Sequence, residues 1–303
     1  MSLPFRHQSV MEHEVMSFFA HSEGKVLVDA TAGGGGHLRL LAQSVGKTGM
    51  VLAFDKDPRA HDKDASGGLA MNFDNVRLFK KPFSRILETL RDHEIHHVDG
   101  LICDLGVSSN QLDDETRGFS FLSDGPIDMR MDQSSDVSAY DWLAKNSETT
   151  IAHVLFTFGG ERKSRAIARL IKKSWPIKNS TLALARLIAS ALKPRKWQKI
   201  HPATRSFQAI RMAVNHEVDE LVLLLKVLPS LLAPDAVAVF LSFHSVEDRL
   251  IKNAFKELAH DTSHKTKPKF EVLTKKPLTA SADELAVNRR ARSAKLRAIK
   301  RIL

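Results

Sequence analysis

Four consecutive glycines separate an apolar run from a helix-like stretch near the start of the chain. The apolar run Val26–Val28 ends in Asp29, and Gly33–Gly36 follow shortly before His37. Glycines in such a place let the backbone turn tightly and approach a ligand closely. Asp55 ends the next apolar run, where a carboxylate can accept hydrogen bonds from ribose hydroxyls. The pattern predicts a nucleoside site; a purely structural glycine turn is the alternative.

The glycine spacing narrows the kind of nucleoside. A dinucleotide fingerprint needs a third glycine, but Leu38 and Arg39 occupy that place when the pattern is started at Gly33 or Gly34. The Gly-Lys-Ser/Thr ending of a phosphate-binding loop is also absent from this turn. S-adenosylmethionine contains adenosine and ribose but no phosphate, so we predict this cofactor and disfavour a nicotinamide dehydrogenase.

Two further side chains with acid–base chemistry follow apolar runs. Asp104 ends the run Leu101–Cys103, and His244 follows the run Ala236–Leu241. Ligands of parallel sheets bind beyond the carboxyl ends of the strands, so both residues are candidate catalytic groups. The alternatives are an aspartate that caps the next turn and a structural histidine in a loop.

Three histidines invite a metal interpretation. His93, His96 and His97 have the spacing of one helix face. A histidine-rich helix end before a strand explains them equally well, and transfer of a methyl group from a sulfonium requires no metal. We therefore predict no metal site.

Apolar runs alternate with helix-like stretches over the first hundred residues, which predicts an α/β fold with a parallel sheet. A second strand-rich region closes the chain. The predicted strands are Val26–Asp29, Met50–Phe54, Val76–Phe79, Leu101–Asp104, Ala236–Leu241, Phe270–Leu273 and Ala294–Ile299. The predicted helices are His37–Val45, Phe83–Arg91, Glu161–Lys173, Thr181–Leu192, Ser206–Leu228 and Val246–Leu258.

The middle of the chain has a different composition. Asn110–Glu148 is rich in Asp, Ser and Gly and is typical of loops and short turns, whereas the helix-like segment Lys163–Arg205 has twelve Lys or Arg and no acid. We therefore predict an inserted helical, basic domain over residues 114–205, within a main domain formed by residues 1–113 and 206–303. A basic helical domain favours RNA as its ligand; a solvated basic surface is the alternative.

The bulk composition is typical of a soluble protein that binds nucleic acid. The net charge is +10, and 43% of the residues are hydrophobic, which is sufficient for a packed core. The single cysteine, Cys103, excludes an internal disulfide. No apolar run approaches the roughly 18 residues of a membrane span, and the first residues lack the pattern of an export signal. We expect a cytoplasmic protein with no membrane partner.

Several stretches together resemble the RsmH (MraW) family, ribosomal RNA small subunit methyltransferase H. They occur in order over nearly the whole chain. They are Ala32–His37, Ala53–Pro58, Asp104–Asp114, Arg117–Asp132, His201–Asn215, Leu241–Arg249 and Asn288–Ser293.

The resemblance implies a class I S-adenosylmethionine-dependent methyltransferase (Rossmann-like) with an inserted helical domain. It implies methylation of the N4 amine of a cytidine, position 1402 of 16S ribosomal RNA, near the decoding centre. The partner is then 16S rRNA or the small ribosomal subunit, with a homodimer left open. The implied cofactor contacts are Gly35, Gly36, His37, Asp55, Phe83, Asp104 and Gln111.

The chemistry implied for cytidine also suggests substrate contacts. The N4 lone pair is delocalised into the ring, so the enzyme must hold N4 close to the methyl group and in line with it, and the base must be unstacked. The candidates for binding RNA are Arg117, Phe119, Arg130, Arg205 and Arg211. Ion pairs with nearby acids are the alternative for Arg117 and Arg130, and core packing is the alternative for Phe119.

Two other functions remain open on the sequence. One is a class I methyltransferase that acts on another RNA, on DNA or on a protein. The other is a basic RNA-binding assembly protein whose cofactor pocket is inactive. Binding of S-adenosylmethionine distinguishes the second from an enzyme.

Overall fold

The protein forms two compact units in a computed structural model that describes residues 9–61, 73–134, 137–192, 200–260 and 269–303. The sheet unit comprises Met1–Gly106 and Asp219–Leu303, and the helical unit comprises Val107–Val218. The helical unit is longer on both sides than the predicted insertion 114–205. Its core explains the difference, since Leu112 and Ile210 both pack into it.

The sheet unit is built on a seven-stranded sheet with the order β3-β2-β1-β4-β5-β7-β6. All neighbouring strands are parallel except β7, which is antiparallel to β5 and β6. The strands are β1 Val26–Asp29, β2 Met50–Phe54, β3 Val76–Phe79, β4 Val98–Asp104, β5 Leu232–Ser242, β6 Phe270–Val272 and β7 Lys295–Arg301. The predicted α/β class and the predicted closing pair of strands are confirmed.

Helices of the sheet unit pack on the sheet because the central strands are apolar on both faces. Val28 and Leu101 belong to one buried cluster, whereas Leu27 and Ile102 belong to another, as the alternation of side chains along a strand requires. The helices are α1 Glu12–Ser17, α2 Gly36–Ser44, α3 Ile86–Asp92, α11 Ser245–His260 and α12 Ala282–Val287. Helix α10, Glu217–Leu231, begins at the end of the helical unit.

The regular elements described in the helical unit are helical and enclose their own apolar core. Three of its helices begin after a serine whose side chain accepts from a backbone N–H of the first turn, which satisfies free N–H groups at the helix starts; these serines are Ser138, Ser147 and Ser180. The helices are α4 Ser109–Asp113, α5 Ala139–Lys145, α6 Glu148–Thr157, α7 Ser164–Lys173, α8 Thr181–Ala191 and α9 Thr204–Val214. Helix α5 and most of α4 lie in Asn110–Glu148, the stretch predicted to consist of loops and short turns, so that prediction was wrong for these two helices.

The predicted single helix Ser206–Leu228 is also wrong, since α9 and α10 replace it. His216 lies between them with φ 53°, a left-handed conformation that ends a helix. The Asn215 side chain fixes this break: its amide donates to the Met129 carbonyl at 2.7 Å and accepts from the Met131 N–H at 2.7 Å.

Among the residues that the structure describes, no helix has both the length and the apolar character needed to cross a membrane.

Candidate active site

The glycine turn after β1 is hydrogen-bonded directly to Asp55, the acid that follows β2. The Gly33 N–H donates to Asp55 Oδ2 at 2.8 Å, and the Asp57 N–H donates to Asp55 Oδ1 at 2.8 Å. Gly33 and Gly35 have φ of 48° and 78°, so a residue with a Cβ would be strained at either place. Asp55 therefore shapes the turn and retains lone pairs for a ligand, because each carboxylate oxygen accepts more than one hydrogen bond.

Gly36 is required for a different reason, a close contact from the N-terminal segment. A Cβ at this position would lie 1.7 Å from Ser9 Oγ. Ser9 is itself buried, and its N–H donates to Glu12 Oε1 at 2.8 Å. The segment before α1 thus lies against the glycine turn, a contact that sequence reasoning missed because the two stretches are far apart in the chain.

Two more acids lie at the ends of neighbouring parallel strands. Asp29 ends β1 and Asp104 ends β4, and the Asp104 N–H donates to Thr31 Oγ1 at 2.7 Å. Burial raises the pKa of Asp29 to about 7, against the lowering effect of the Thr31 N–H. Burial raises the pKa of Asp104 to about 8, and the nearby Asp29 and Glu247 carboxylates add to the rise.

His37 faces Asp104 from the first turn of α2. Its Nε2 lies 3.6 Å from Asp104 Oδ2, and the residue is 6% exposed. Burial lowers the pKa of His37 to about 4, so the ring is neutral at pH 7. A neutral imidazole does not offset the charge of the ionised acids, which leaves this end of the sheet electronegative once Asp29 and Asp104 lose their protons.

The same three side chains contain buried polar atoms that have no hydrogen-bond partner within the described parts of the chain. They are Asp29 Oδ2, Asp104 Oδ1 and both ring nitrogens of His37. Such atoms are costly to bury unless a ligand or water satisfies them. A cofactor with a nucleoside, an ammonium group and a sulfonium cation fits this donor and acceptor set, because the acids would face positive charge and Asp55 would face ribose.

His244 is held inside the cap of α11. Its Nε2 is buried and lies 2.9 Å from Glu247 Oε1, while its Nδ1 lies 3.4 Å from the Glu247 N–H. Glu247 Oε2 accepts from the Phe243 N–H at 3.1 Å. Both ring nitrogens thus face Glu247, so the structure favours the structural alternative for His244. Sequence reasoning missed Glu247, although an acid three residues into a helix is a known capping signal.

Phe83 and Gln111, the two remaining predicted cofactor contacts, have partners of their own. Phe83 begins a short 3₁₀ turn after β3 and packs, partly buried, against the sheet core. Gln111 lies in the helical unit, where it forms a capping box with Ser108 at the start of α4. Their contact with a cofactor stays a prediction.

The burial of Arg117 argues against the prediction that this residue contacts a phosphate. The residue is 1% exposed, and its guanidinium donates to the carbonyls of Arg130 at 3.0 Å and Met131 at 2.8 Å. Its guanidinium also lies 5.6 Å from the ring centre of Phe119, which is 8% exposed. Both residues stabilise the core of the helical unit, so neither is presented to an RNA strand in this structure.

The other three candidate arginines differ in their availability. Arg130 makes a two-point ion pair with Asp128 at 2.9 and 2.7 Å. Arg211 makes a similar pair with Glu217, which crosses the break between α9 and α10. Arg205 is exposed at the start of α9, and its guanidinium has no ion pair among the described residues.

No group of three potential metal ligands comes together in the described parts of the chain. Helix α3 ends at Asp92, so His93, His96 and His97 do not share one helix face, and the helical spacing that suggested a metal site is not present.

Fold and site together define a class I S-adenosylmethionine-dependent methyltransferase. The sheet order with its antiparallel β7, the glycine turn after β1 and the acid at the end of β2 are the features that carry this assignment. Over residues 4–302 the sequence matches the MraW methylase family, and the chain belongs to that family.

Similar proteins extend over almost the same length. A protein of Koribacter versatilis named ribosomal RNA small subunit methyltransferase H is 40% identical over 305 aligned residues, which cover 98% of this chain and 94% of that protein. Proteins with the same name from Sorangium cellulosum and a Geobacter species are 41% and 38% identical; each alignment covers 98% of this chain, with 91% and 99% of the relatives.

Proposed function

We propose that this enzyme transfers the methyl group of S-adenosylmethionine to the N4 amine of a cytidine in 16S ribosomal RNA, near the decoding centre. The observation that carries the proposal is a set of buried polar groups at the strand ends: atoms of Asp29, His37 and Asp104 that have no hydrogen-bond partner among the described residues lie at the same end of the sheet as the turn tied to Asp55. The names of the similar proteins support small-subunit rRNA as the substrate class. The proposed place of action is the cytoplasm.

The cofactor site follows from the fixed groups around the turn. Gly35, Gly36 and His37 form the start of α2 beside the proposed adenosine site, and Asp55 would accept the ribose hydroxyls. Asp29 and Asp104 would face the ammonium and sulfonium groups. When bound, S-adenosylmethionine supplies an electrophilic methyl group on sulfur; the protein holds it and excludes water.

The reaction needs a hydrogen-bond acceptor near the N4 amine. An acceptor localises the nitrogen lone pair and takes up charge as the N–C bond forms, and positioning in line contributes much of the rate. Asp104 is the candidate that remains after His244 is assigned to the α11 cap, because Asp104 Oδ1 has no hydrogen-bond partner among the described residues. We therefore assign the proton-accepting role to Asp104 rather than to His244.

RNA binding is proposed for the helical unit. Exposed cations on α7 and the loop before it include Arg162, Lys163, Arg165 and Lys173. Part of the predicted basic segment, residues 193–199, lies outside the described residues. Contacts of this kind bind phosphates and release counterions, so the proposal requires strong salt dependence of RNA binding.

Methyl-transfer assays test the proposal against its alternatives. Purified protein and radiolabelled S-adenosylmethionine would be incubated with small subunits that lack the modification, with free 16S rRNA and with DNA. The expected result is incorporation into the rRNA alone, in the particle or free. Incorporation into DNA or protein would support the broader methyltransferase alternative.

Calorimetry tests the alternative of an inactive cofactor pocket. The wild-type protein should bind S-adenosylmethionine, and Asp55→Ala should lose most of the heat because the turn loses its anchor at Gly33. Absence of binding in the wild type would favour an RNA-binding assembly protein.

A further inference from the structure

One aromatic ring is exposed in the part of the chain that the structure describes. Phe156, on the last turn of α6, is 60% exposed, whereas the other described Phe, Tyr and Trp residues are buried or half-buried. The preceding residue, Leu155, is fully buried in the core of the helical unit. A lone exposed apolar side chain is ordinary on a protein surface, so its surroundings decide whether it can bind anything.

The loop that follows Phe156 presents positive charge only. Arg162 and Lys163 are exposed, whereas the acid between them and the helix, Glu161, is 8% exposed. Glu161 Oε1 accepts from the Lys163 N–H at 3.1 Å, and the Glu161 N–H donates to the Leu155 carbonyl at 3.1 Å. The carboxylate is thus drawn inward, and the loop folds back on the end of α6.

Gly159 places the backbone of a third basic residue, Arg205, beside the same loop. A Cβ at Gly159 would lie 2.6 Å from the Arg205 carbonyl and 3.2 Å from Ala209 Cβ, so the loop lies directly against α9. Arg205 is exposed there and has no ion pair among the described residues. We call Phe156, Arg162, Lys163 and Arg205 the Phe156 patch.

We propose that the Phe156 patch binds an unpaired segment of the substrate RNA, with one base stacked on the Phe156 ring and the flanking phosphates on the three cations. Proteins that bind single strands without sequence preference combine aromatic rings, on which bases stack, with cations that contact the phosphates. A protein partner is disfavoured, since protein interfaces bury a cluster of apolar side chains and exclude charge from their centre. The inference rests on the proposed function and adds a contact outside the cofactor site.

Fluorescence anisotropy with a labelled oligouridine tests the stacking contact. Phe156→Leu keeps the apolar surface but removes the ring, and it should weaken binding by about fivefold or more, the factor expected for one stacked base. Phe156→Trp keeps an aromatic ring and should bind oligouridine as the wild type does, and oligouridine should quench the fluorescence of the introduced tryptophan. Leu122→Ala is the matched control, because Leu122 is 91% exposed in the same unit and lies outside the patch; it should bind as the wild type does.

Salt dependence separates the ring from the cations. Phe156→Leu should leave the slope of log affinity against log salt unchanged, whereas Arg205→Ala should reduce it by about 0.7, the value for one phosphate on a single strand. Thermal midpoints equal to that of the wild type would show that both variants are folded.

The inference is overturned if Phe156→Leu binds oligouridine like the wild type, or if Leu122→Ala loses as much affinity. Failure of the proposed function is seen separately in the wild-type protein, as absence of methyl transfer to 16S rRNA. Loss of affinity in Phe156→Leu together with normal cofactor binding supports the inference.

Discussion

Replacing Asp104 by asparagine is expected to remove much of the pH dependence of cofactor binding. Asp104 has a pKa of about 8 in the cofactor-free protein, raised by burial and then by Asp29 and Glu247. A bound ammonium or sulfonium cation favours the ionised carboxylate, so binding must release a proton wherever Asp104 is still protonated. Affinity therefore rises with pH until the pKa of the unliganded group is reached.

The magnitude follows from the ionised fraction of Asp104. With a pKa of about 8, this fraction is about 1% at pH 6 and about 50% at pH 8, a factor of about 50. The ratio of wild-type to Asp104→Asn affinity should thus increase by up to about 50-fold over this range. The cofactor's amine and Asp29, whose pKa is about 7, titrate in both proteins, so the comparison with Asp104→Asn reports the part of the pH dependence that requires the Asp104 carboxyl.

Isothermal titration calorimetry at pH 6, 7 and 8, in buffers of different ionisation enthalpy, measures both the affinity and the protons released. The wild type should release more protons at pH 7 than Asp104→Asn does. Parallel affinity curves for the two proteins, with equal proton release, would refute the placement of the cofactor's positive charge beside Asp104.

Three other predictions address stability, the glycine turn and RNA. The pKa of Asp29 rises from 3.8 to about 7 on folding, so the folded state holds the extra proton and the cofactor-free protein loses stability as pH rises between these values. Asp29→Asn should therefore increase the free energy of unfolding at pH 8 by up to about 4 kcal/mol. Scanning calorimetry should show a higher thermal midpoint for this variant at pH 8 and an almost unchanged one at pH 4. Gly36→Ala should lower the thermal midpoint because its Cβ meets Ser9 Oγ, and Ser9→Gly should restore much of that loss; no rescue would mean that the contact is not the cause. Affinity for 16S rRNA should fall steeply between about 50 and 200 mM salt, and a flat filter-binding profile would contradict phosphate contacts by the helical unit.

The sheet and the glycine turn could be predicted because short stretches of sequence determine them. Apolar runs such as Met50–Phe54 that end in an acid have few alternatives to a buried parallel strand. The turn at Gly33–Gly36 follows from the backbone freedom of glycine. Each of these signals lies within a few neighbouring residues, so it can be recognised without knowing the contacts made by the rest of the chain.

Features that depend on distant contacts could not be predicted in the same way. The break at His216 is fixed by Asn215, whose partners Met129 and Met131 lie about 85 residues earlier. Arg117 has the type of residue that binds phosphate, yet the fold buries it on backbone carbonyls. In each case the residue type was informative, and its tertiary partners decided its role.

The role of His244 was undecided for a related reason. Its position after β5 suits a catalytic base, but Glu247 faces both ring nitrogens through the first turn of α11. The spacing of three residues is visible in the sequence. Only the structure shows that the side chains of His244 and Glu247 meet.

The proposed methylation of 16S rRNA can be examined in cells by mass spectrometry of the nucleosides of 16S rRNA from a deletion strain. We expect the N4-methyl mark on cytidine to disappear on deletion, to return with the wild-type chain and not to return with Asp55→Ala. An unchanged N4-methyl signal in the deletion strain would contradict this expectation.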